Sequence, residues 1–485
     1  VCPPESAEDA SGITIGVGTE IEIEAIGAAG ADPFVRTAVA VTPEWQGNLP
    51  FGVFSPESMV IATAFQKAVL PSGVTVLTET MPDRRTVSVG IWIRNGARDE
   101  PAERIGISHF IEHMMFKGTE RRDAKAIARS LESLGGHLDA FTAREQVCYY
   151  ARALAEHLPQ VVDVLFDLVG RPRFAESEVE REKSVVREEI FAAEDNPEDK
   201  VGELLAAQTW PGHPLGRPIL GTVETVDGLD AGTLRGYFES RYRAENLVVS
   251  AAGGLEHETL IELVRQHERP PDGAPLPLSG PPPRFVPAVQ HAVRDDLQQL
   301  YLSLGTRAVA YAAEERYPLV VLNALLGGGM SSRLFQSVRE EAGLAYSIYS
   351  APDFHRDAGM LSIHLGVSPE RGREALERVR VELRRLRDEG PSDDEVATGR
   401  QQLYGSVVMG QESVSNRMSH LAQEEIYRGR YVAPEEQVER VMSVTHDDVM
   451  AMARRFLDPG RFALTALGPA PGGPLSETEW PLAPS

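Results

Sequence analysis

His109-Phe110-Ile111-Glu112-His113 is the stretch from which the rest of this chain can be read. On a helix of 3.6 residues per turn, positions i, i+3 and i+4 share one face, so two imidazoles and a carboxylate point into the same space. Two neutral histidine nitrogens make half of a zinc site, and the glutamate between them can take a proton from water that the metal activates. Gly106-Ile107-Ser108 before the motif and Met114-Met115-Phe116-Lys117-Gly118-Thr119 after it predict a helix running into a turn. The plainer reading is an amphipathic helix carrying two histidines by chance, because short motifs recur. A hydrolytic zinc takes three protein ligands and keeps a position open. The acidic helical stretch Glu178-Val179-Glu180-Arg181-Glu182-Lys183-Ser184-Val185-Val186-Arg187-Glu188-Glu189-Ile190 offers the third. Either Glu188 or Glu189 could supply it, against the plain alternative of a solvated charged face.

Composition narrows the class. A chain of 485 residues is too long for one compact core and implies at least two domains. A net charge of −24 argues against a nucleic-acid partner and is compatible with basic peptides. No apolar run approaches the length of a membrane span. Cys2 and Cys148 are the only cysteines, which excludes a disulfide framework and a cysteine-based metal site. Cys148 lies in an apolar strand-like run and reads as a small buried hydrophobe.

Working outward, Val87, Val89, Ile91 and Ile93 alternate with Ser88, Gly90, Trp92 and Arg94, the period of a strand. A second helix is predicted over 124–134, stopped by Gly135-Gly136. The proline-dense segment 270–287 is a semi-rigid linker. Beyond it the pattern restarts: Leu300, Leu302 and Leu304 alternate, and 319–326 reads as an apolar helix ending in Gly327-Gly328-Gly329. Laying Leu325-Leu326 over Met114-Met115 puts Val320, Asn323 and Ala324 where His109, Glu112 and His113 stand, as in a metal-free copy. The glycine run lacks the lysine of a phosphate loop.

Taken together, these segments resemble the pitrilysin/insulinase metallopeptidases, the inverzincins, and most of all their bacterial processing proteases and the catalytic subunit of mitochondrial processing peptidase. The matching segments are 109–119, Gly135-Gly136-His137-Leu138-Asp139-Ala140-Phe141-Thr142, the glutamate-rich helix, and His213-Pro214-Leu215-Gly216-Arg217-Pro218-Ile219-Leu220-Gly221. The similarity runs over residues 65–468.

The resemblance implies an α+β fold of two related α/β halves, each an antiparallel sheet packed with helices, together forming half of a clamshell. Its boundaries would be an unassigned extension over 1–64, a zinc-binding catalytic domain over 65–269, the linker, a homologous metal-free domain over 288–468 and a tail over 469–485. Family spacing favours Glu189 as the third ligand of one zinc per chain and makes Glu182 the supporting acid. Glu112 becomes the proton acceptor in a zinc endopeptidase. Arg339 and Tyr346 match a pair that binds substrate and stabilises the oxyanion from the opposing half of the clamshell. A homodimer, or a heterodimer with an inactive paralogue, would bring that pair to the zinc. Leu138, Asp139, Ala140, Phe141 and Thr142 would form an edge strand that pairs with extended peptide, although many relatives have Asn where Asp139 stands. Asp199 and Glu203 fall where the processing subunit reads a basic residue near the cut. The rival readings are a catalytically silent structural subunit and a peptide-binding subunit. Residues 1–64 begin Val1-Cys2-Pro3-Pro4 and hold no Lys or Arg before Arg36, so neither a secretory signal nor a transit peptide is expected, and a bacterial cytoplasmic location is.

Overall fold

The computed structural model describes residues 64–267, 280 and 282–483. The proposed extension, apart from Ala64, and most of the linker lie outside the described residues. The first sheet contains β1 (Ala64–Val69), β2 (Thr75–Thr80), β3 (Thr86–Ile93), β4 (His137–Thr142), β5 (Val147–Leu154) and β6 (Leu247–Gly253), in the order β1-β2-β6-β3-β5-β4. The second contains β7 (Val289–Val293), β8 (Leu300–Ala308), β9 (Ala345–Phe354), β10 (Gly359–Val367) and β11 (Ala463–Gly468), in the order β7-β11-β8-β10-β9. The architecture is α+β, as expected, but neither sheet is purely antiparallel. β2 pairs with β6 in parallel, and β7 with β11 likewise. In each case the later strand returns after a long helical excursion, which leaves it free to enter in either direction.

The two sheets repeat one another. Shifting β2-β6-β3-β5-β4 onto β7-β11-β8-β10-β9 matches chain order, neighbours and every parallel or antiparallel relation. Helix Ile107–Met115 follows β3 as helix Arg316–Gly327 follows β8. The overlay of Val320, Asn323 and Ala324 on the motif therefore lies in equivalent elements.

Each half lends a helix to the other. Helix Val414–Arg428 crosses the first sheet, burying Val414, Met418, Leu421 and Ala422 against Leu77, Met81, Trp92, Cys148, Val248 and Ala252. Helix Pro197–Thr209 crosses the second sheet, where Leu205, Ala206 and Trp210 pack with Met360 and Ala463. Both central strands carry glycine at the crossing. A Cβ on Gly90 would lie 2.7 Å from Met418 Sδ, and one on Gly305 would lie 3.0 Å from Leu205 Cδ2. This explains why Ser88 and Trp92 are as buried as the apolar residues they alternate with. Ion pairs frame the first crossing: Arg417 bonds Glu79, and Glu425 meets Lys67 at 2.6 Å and Arg94 at 3.2 Å. Cys148 is fully buried there, as expected. No described helix is long and apolar enough to cross a membrane.

Candidate metal centre

Helix Ile107–Met115 buries Ile107, Phe110, Ile111, Met114 and Met115 in the core, an i, i+3, i+4, i+7, i+8 stripe that leaves His109, Glu112 and His113 on the other side. Its start is fixed from two directions. The Glu100 carboxylate accepts from the backbone N–H of Gly106 at 2.7 Å and of Ser108 at 2.8 Å, satisfying donors that a helix start leaves unpaired. Behind it, Gly106 (φ 91°) meets Gly221 (φ 80°). A Cβ on Gly106 would lie 2.5 Å from the Leu220 carbonyl oxygen, and one on Gly221 would lie 2.4 Å from that of Ile105. Arg217 also donates to the Glu100 carbonyl at 3.1 Å. The 213–221 segment is thus a brace for the metal helix.

Helix Glu176–Asp195 presents its acids to this face. Glu182 and Glu189, seven residues apart, point at the histidines, and Glu188 is exposed. His109 Nε2 and His113 Nε2 are 3.2 Å apart, and Glu189 Oε2 lies 3.5 Å from the first and 3.3 Å from the second. Donors each 2.0–2.2 Å from one zinc at tetrahedral angles stand about 3.3–3.6 Å apart. The triangle therefore fits a single tetrahedral zinc with the fourth position open, and among the described residues these three form the group able to hold a metal.

The surroundings are polar and specific. Glu182 Oε1 meets His113 Nδ1 at 2.9 Å and its Oε2 meets Lys117 Nζ at 2.8 Å. Burial pushes the Glu182 carboxyl up, but the bonds from His113 and Lys117 outweigh it and hold it below its usual range. Burial lowers His113, yet Glu182 and Glu189 outweigh that and raise it to about 9. His109 and His113 keep Glu189 well below the carboxylate range. A metal binding here must displace protons. Glu112 is raised by burial, against a hydrogen bond donated by the Thr142 hydroxyl. A nearby dication would draw it back down.

The other residues singled out from sequence fall into three groups. Leu138, Asp139, Ala140, Phe141 and Thr142 lie on β4, which among the described residues pairs only with β5 and is a sheet edge. Its Thr142 end reaches Glu112. Asp139 turns its carboxylate to its own neighbourhood, accepting from the Ala140 N–H at 2.8 Å and the Tyr150 hydroxyl at 3.2 Å. Asp199 and Glu203 lie on helix Pro197–Thr209, where Asp199 accepts from Asn196 at 2.6 Å and Glu203 lies 3.6 Å from Lys200. Arg339 sits in a π-helical turn (Phe335–Glu341) and Tyr346 on β9, the counterpart of β4. The guanidinium lies 4.6 Å from the Phe335 ring and 5.4 Å from the Tyr346 ring, and Tyr346 is 83% exposed. Among the described residues their bonding and ring partners are all in the second half of the chain. In the sequence Glu100 carries no motif, and Lys117 stands only as part of the turn after the metal helix. Lys117 had a usable signal, since it stands four residues after His113.

The fold and site define a two-sheet α+β protein with a His-His-Glu donor set and an inverted zinc motif. The chain matches the family model described as insulinase (peptidase family M16) over residues 75–223 and that of the peptidase M16 inactive domain over 228–403. An uncharacterized zinc protease of Mycobacterium tuberculosis is 38% identical over 425 residues, covering 86% of this chain and 95% of the relative. One of Bacillus subtilis is 36% identical over 399 residues, covering 82% and 97%. A solved protease from Helicobacter pylori has the same fold, with a TM-score of 0.80 at 19% identity over 84% of this chain and all of that one. A peptidase M16 inactive domain from Pseudomonas fluorescens gives 0.79 at 20% identity over 84% and 98%. The chain therefore belongs to the insulinase (M16) peptidase family, as a zinc protease.

Proposed function

We propose that this chain is a zinc endopeptidase that cuts unstructured peptides or presequences, favouring basic residues near the cut, with its sites completed by a second subunit in a clamshell. The observation that carries this is the donor triangle of His109, His113 and Glu189, set beside a Glu112 that takes no part in it and a β4 edge left unpaired among the described residues. The division into a zinc-binding half and a metal-free half, with boundaries near 65–269 and 288–468, belongs to the same reading. His109, His113 and Glu189 would hold the zinc, and bound zinc supplies Lewis acidity, acidifying water and polarising a carbonyl. Substrate adds to β4 through backbone hydrogen bonds, which suits varied side chains. Glu112 takes the proton of the attacking water on its carboxylate and returns it to the leaving amine nitrogen. Thr142, at the end of β4, holds Glu112 where the scissile bond would lie. Glu182 fixes the ring of His113. Tyr346 is exposed and Arg339 partly so, which leaves the pair open to substrate bound to the facing subunit, and they would support the developing oxyanion. Asp199 and Glu203 would receive the basic side chain.

The test is cleavage of an unstructured arginine-containing peptide by wild type and Glu112→Gln, with zinc quantified in both. Both should hold zinc, and the variant should lose at least about 100-fold in kcat. Zinc without turnover in wild type would point to a missing partner subunit or a very selective substrate, and neither zinc nor turnover to the silent structural subunit.

A further inference from the structure

We propose that Lys117 is a positioning residue of the metal centre, gripping Glu182 so that Glu182 can fix the ring of His113. The proposal rests on the zinc reading above. Lys117 follows His113 by four residues, just past the end of helix Ile107–Met115, so both side chains leave on one side. Its Nζ lies 2.8 Å from Glu182 Oε2, while Glu182 Oε1 lies 2.9 Å from His113 Nδ1. One carboxylate is thus held at both oxygens by two side chains from a single turn of chain.

Burial decides whether that grip matters. An ion pair at the surface contributes little, and Lys117 itself is 32% exposed. The Glu182 side chain, however, is only 2% exposed, so water has no room to replace the ammonium. A buried carboxylate stripped of one partner is costly. It escapes that cost by rotating toward solvent, which loosens its hold on His113 Nδ1. Lys183, next to Glu182 in the chain, offers no substitute because its Nζ bonds Glu180 at 2.8 Å. His109 has no equivalent support: its Nδ1 is buried without a hydrogen-bond partner among the described residues. Of the two histidines, only His113 has its outer ring nitrogen held among the described residues, and it is held through Lys117 and Glu182. Outer partners of this kind typically govern metal affinity by 10–100-fold.

The experiment measures zinc affinity of the full chain by chelator competition in wild type, Lys117→Met, Lys117→Arg, Glu182→Gln and the Lys117→Met/Glu182→Gln double variant, alongside melting of each metal-free protein. Lys117→Met should bind zinc about 10–100-fold more weakly, and Lys117→Arg should recover most of the loss. The double variant should bind no worse than Glu182→Gln alone, because Lys117 acts only through that carboxylate. Wild-type affinity in Lys117→Met, or losses that add in the double variant, would overturn the proposal and leave the metal site standing. A wild type that binds no zinc would overturn the metal reading itself. Should Lys117→Met melt early, Lys117→Arg and the double-variant comparison, taken below its melting point, still separate a positioning role from a structural one.

Discussion

Replacing Glu100 by glutamine probes how the start of the metal helix is held. Glu100 is 4% exposed, and each carboxylate oxygen accepts one backbone N–H, from Gly106 and Ser108. Burial pushes its pKa from the usual 4.5 up to about 7, against those two bonds and the pull of Arg217. A carboxyl raised in this way holds its proton more firmly in the folded chain than in the unfolded one. Its stabilising contribution is complete below 4.5 and is lost as pH rises through about 7. That rise is worth about 3 kcal/mol spread over the window. Glutamine has no proton to lose, so the variant lacks this slope. It also presents an NH2 donor where the carboxyl presents its second oxygen, so one N–H loses its partner, an offset of about 1–3 kcal/mol. Unfolding free energies of both proteins, from urea titrations in chelator at pH 4.5 and pH 8, separate the two effects. Whatever the offset, the gap between them should move by about 3 kcal/mol in the variant's favour on going to pH 8. Free energies that run parallel across the window would refute the reasoning.

Gly221→Ala should lower stability by about 1–2 kcal/mol from the left-handed backbone alone, and more because its Cβ would meet the Ile105 carbonyl. Zinc affinity should fall with it, and a melting curve and chelator titration unchanged from wild type would count against the brace. Leu421→Ala, in the helix crossing the first sheet, should cost about 2–5 kcal/mol in urea unfolding because its side chain is 1% exposed. Mixing inactive Glu112→Gln chains with inactive Tyr346→Ala chains should restore up to about one quarter of wild-type activity, since only mixed dimers contain an intact site. No recovery, with mixed dimers demonstrated by mass, would mean the pair does not act across subunits.

Local chemistry was the legible part of this molecule. The helix bearing His109 and His113 announces itself because its apolar stripe and its two histidines follow one period. The strands around Val89 and Leu302 do so by alternation. The choice between Glu188 and Glu189 is different, since both stand on a regular acidic helix and neither its caps nor its charges distinguish them. Only the approach of a second helix makes Glu189 face inward and leaves Glu188 in solvent. The parallel pairings of β2 with β6 and β7 with β11 were equally hidden, because nothing in either strand encodes a partner that arrives after a long excursion. Trp92 shows the same limit: its strand period was plain, but not that Met418, far along the chain, would cover its side of the sheet. Lys117 could have been found by extending the i+4 rule one turn beyond the motif.

The exchange of helices between the two sheets makes the chain a poor candidate for division. Residues 64–267 made alone would leave Leu77, Trp92 and Val248 bare to water, and residues 282–483 alone would leave Met360 and Ala463 bare. Such faces aggregate rather than dissolve. Made together as two fragments, however, each supplies the missing cover of the other, so the pair should reassemble without a peptide bond between them. A reporter split between these two fragments would turn on only when both are in the same cell.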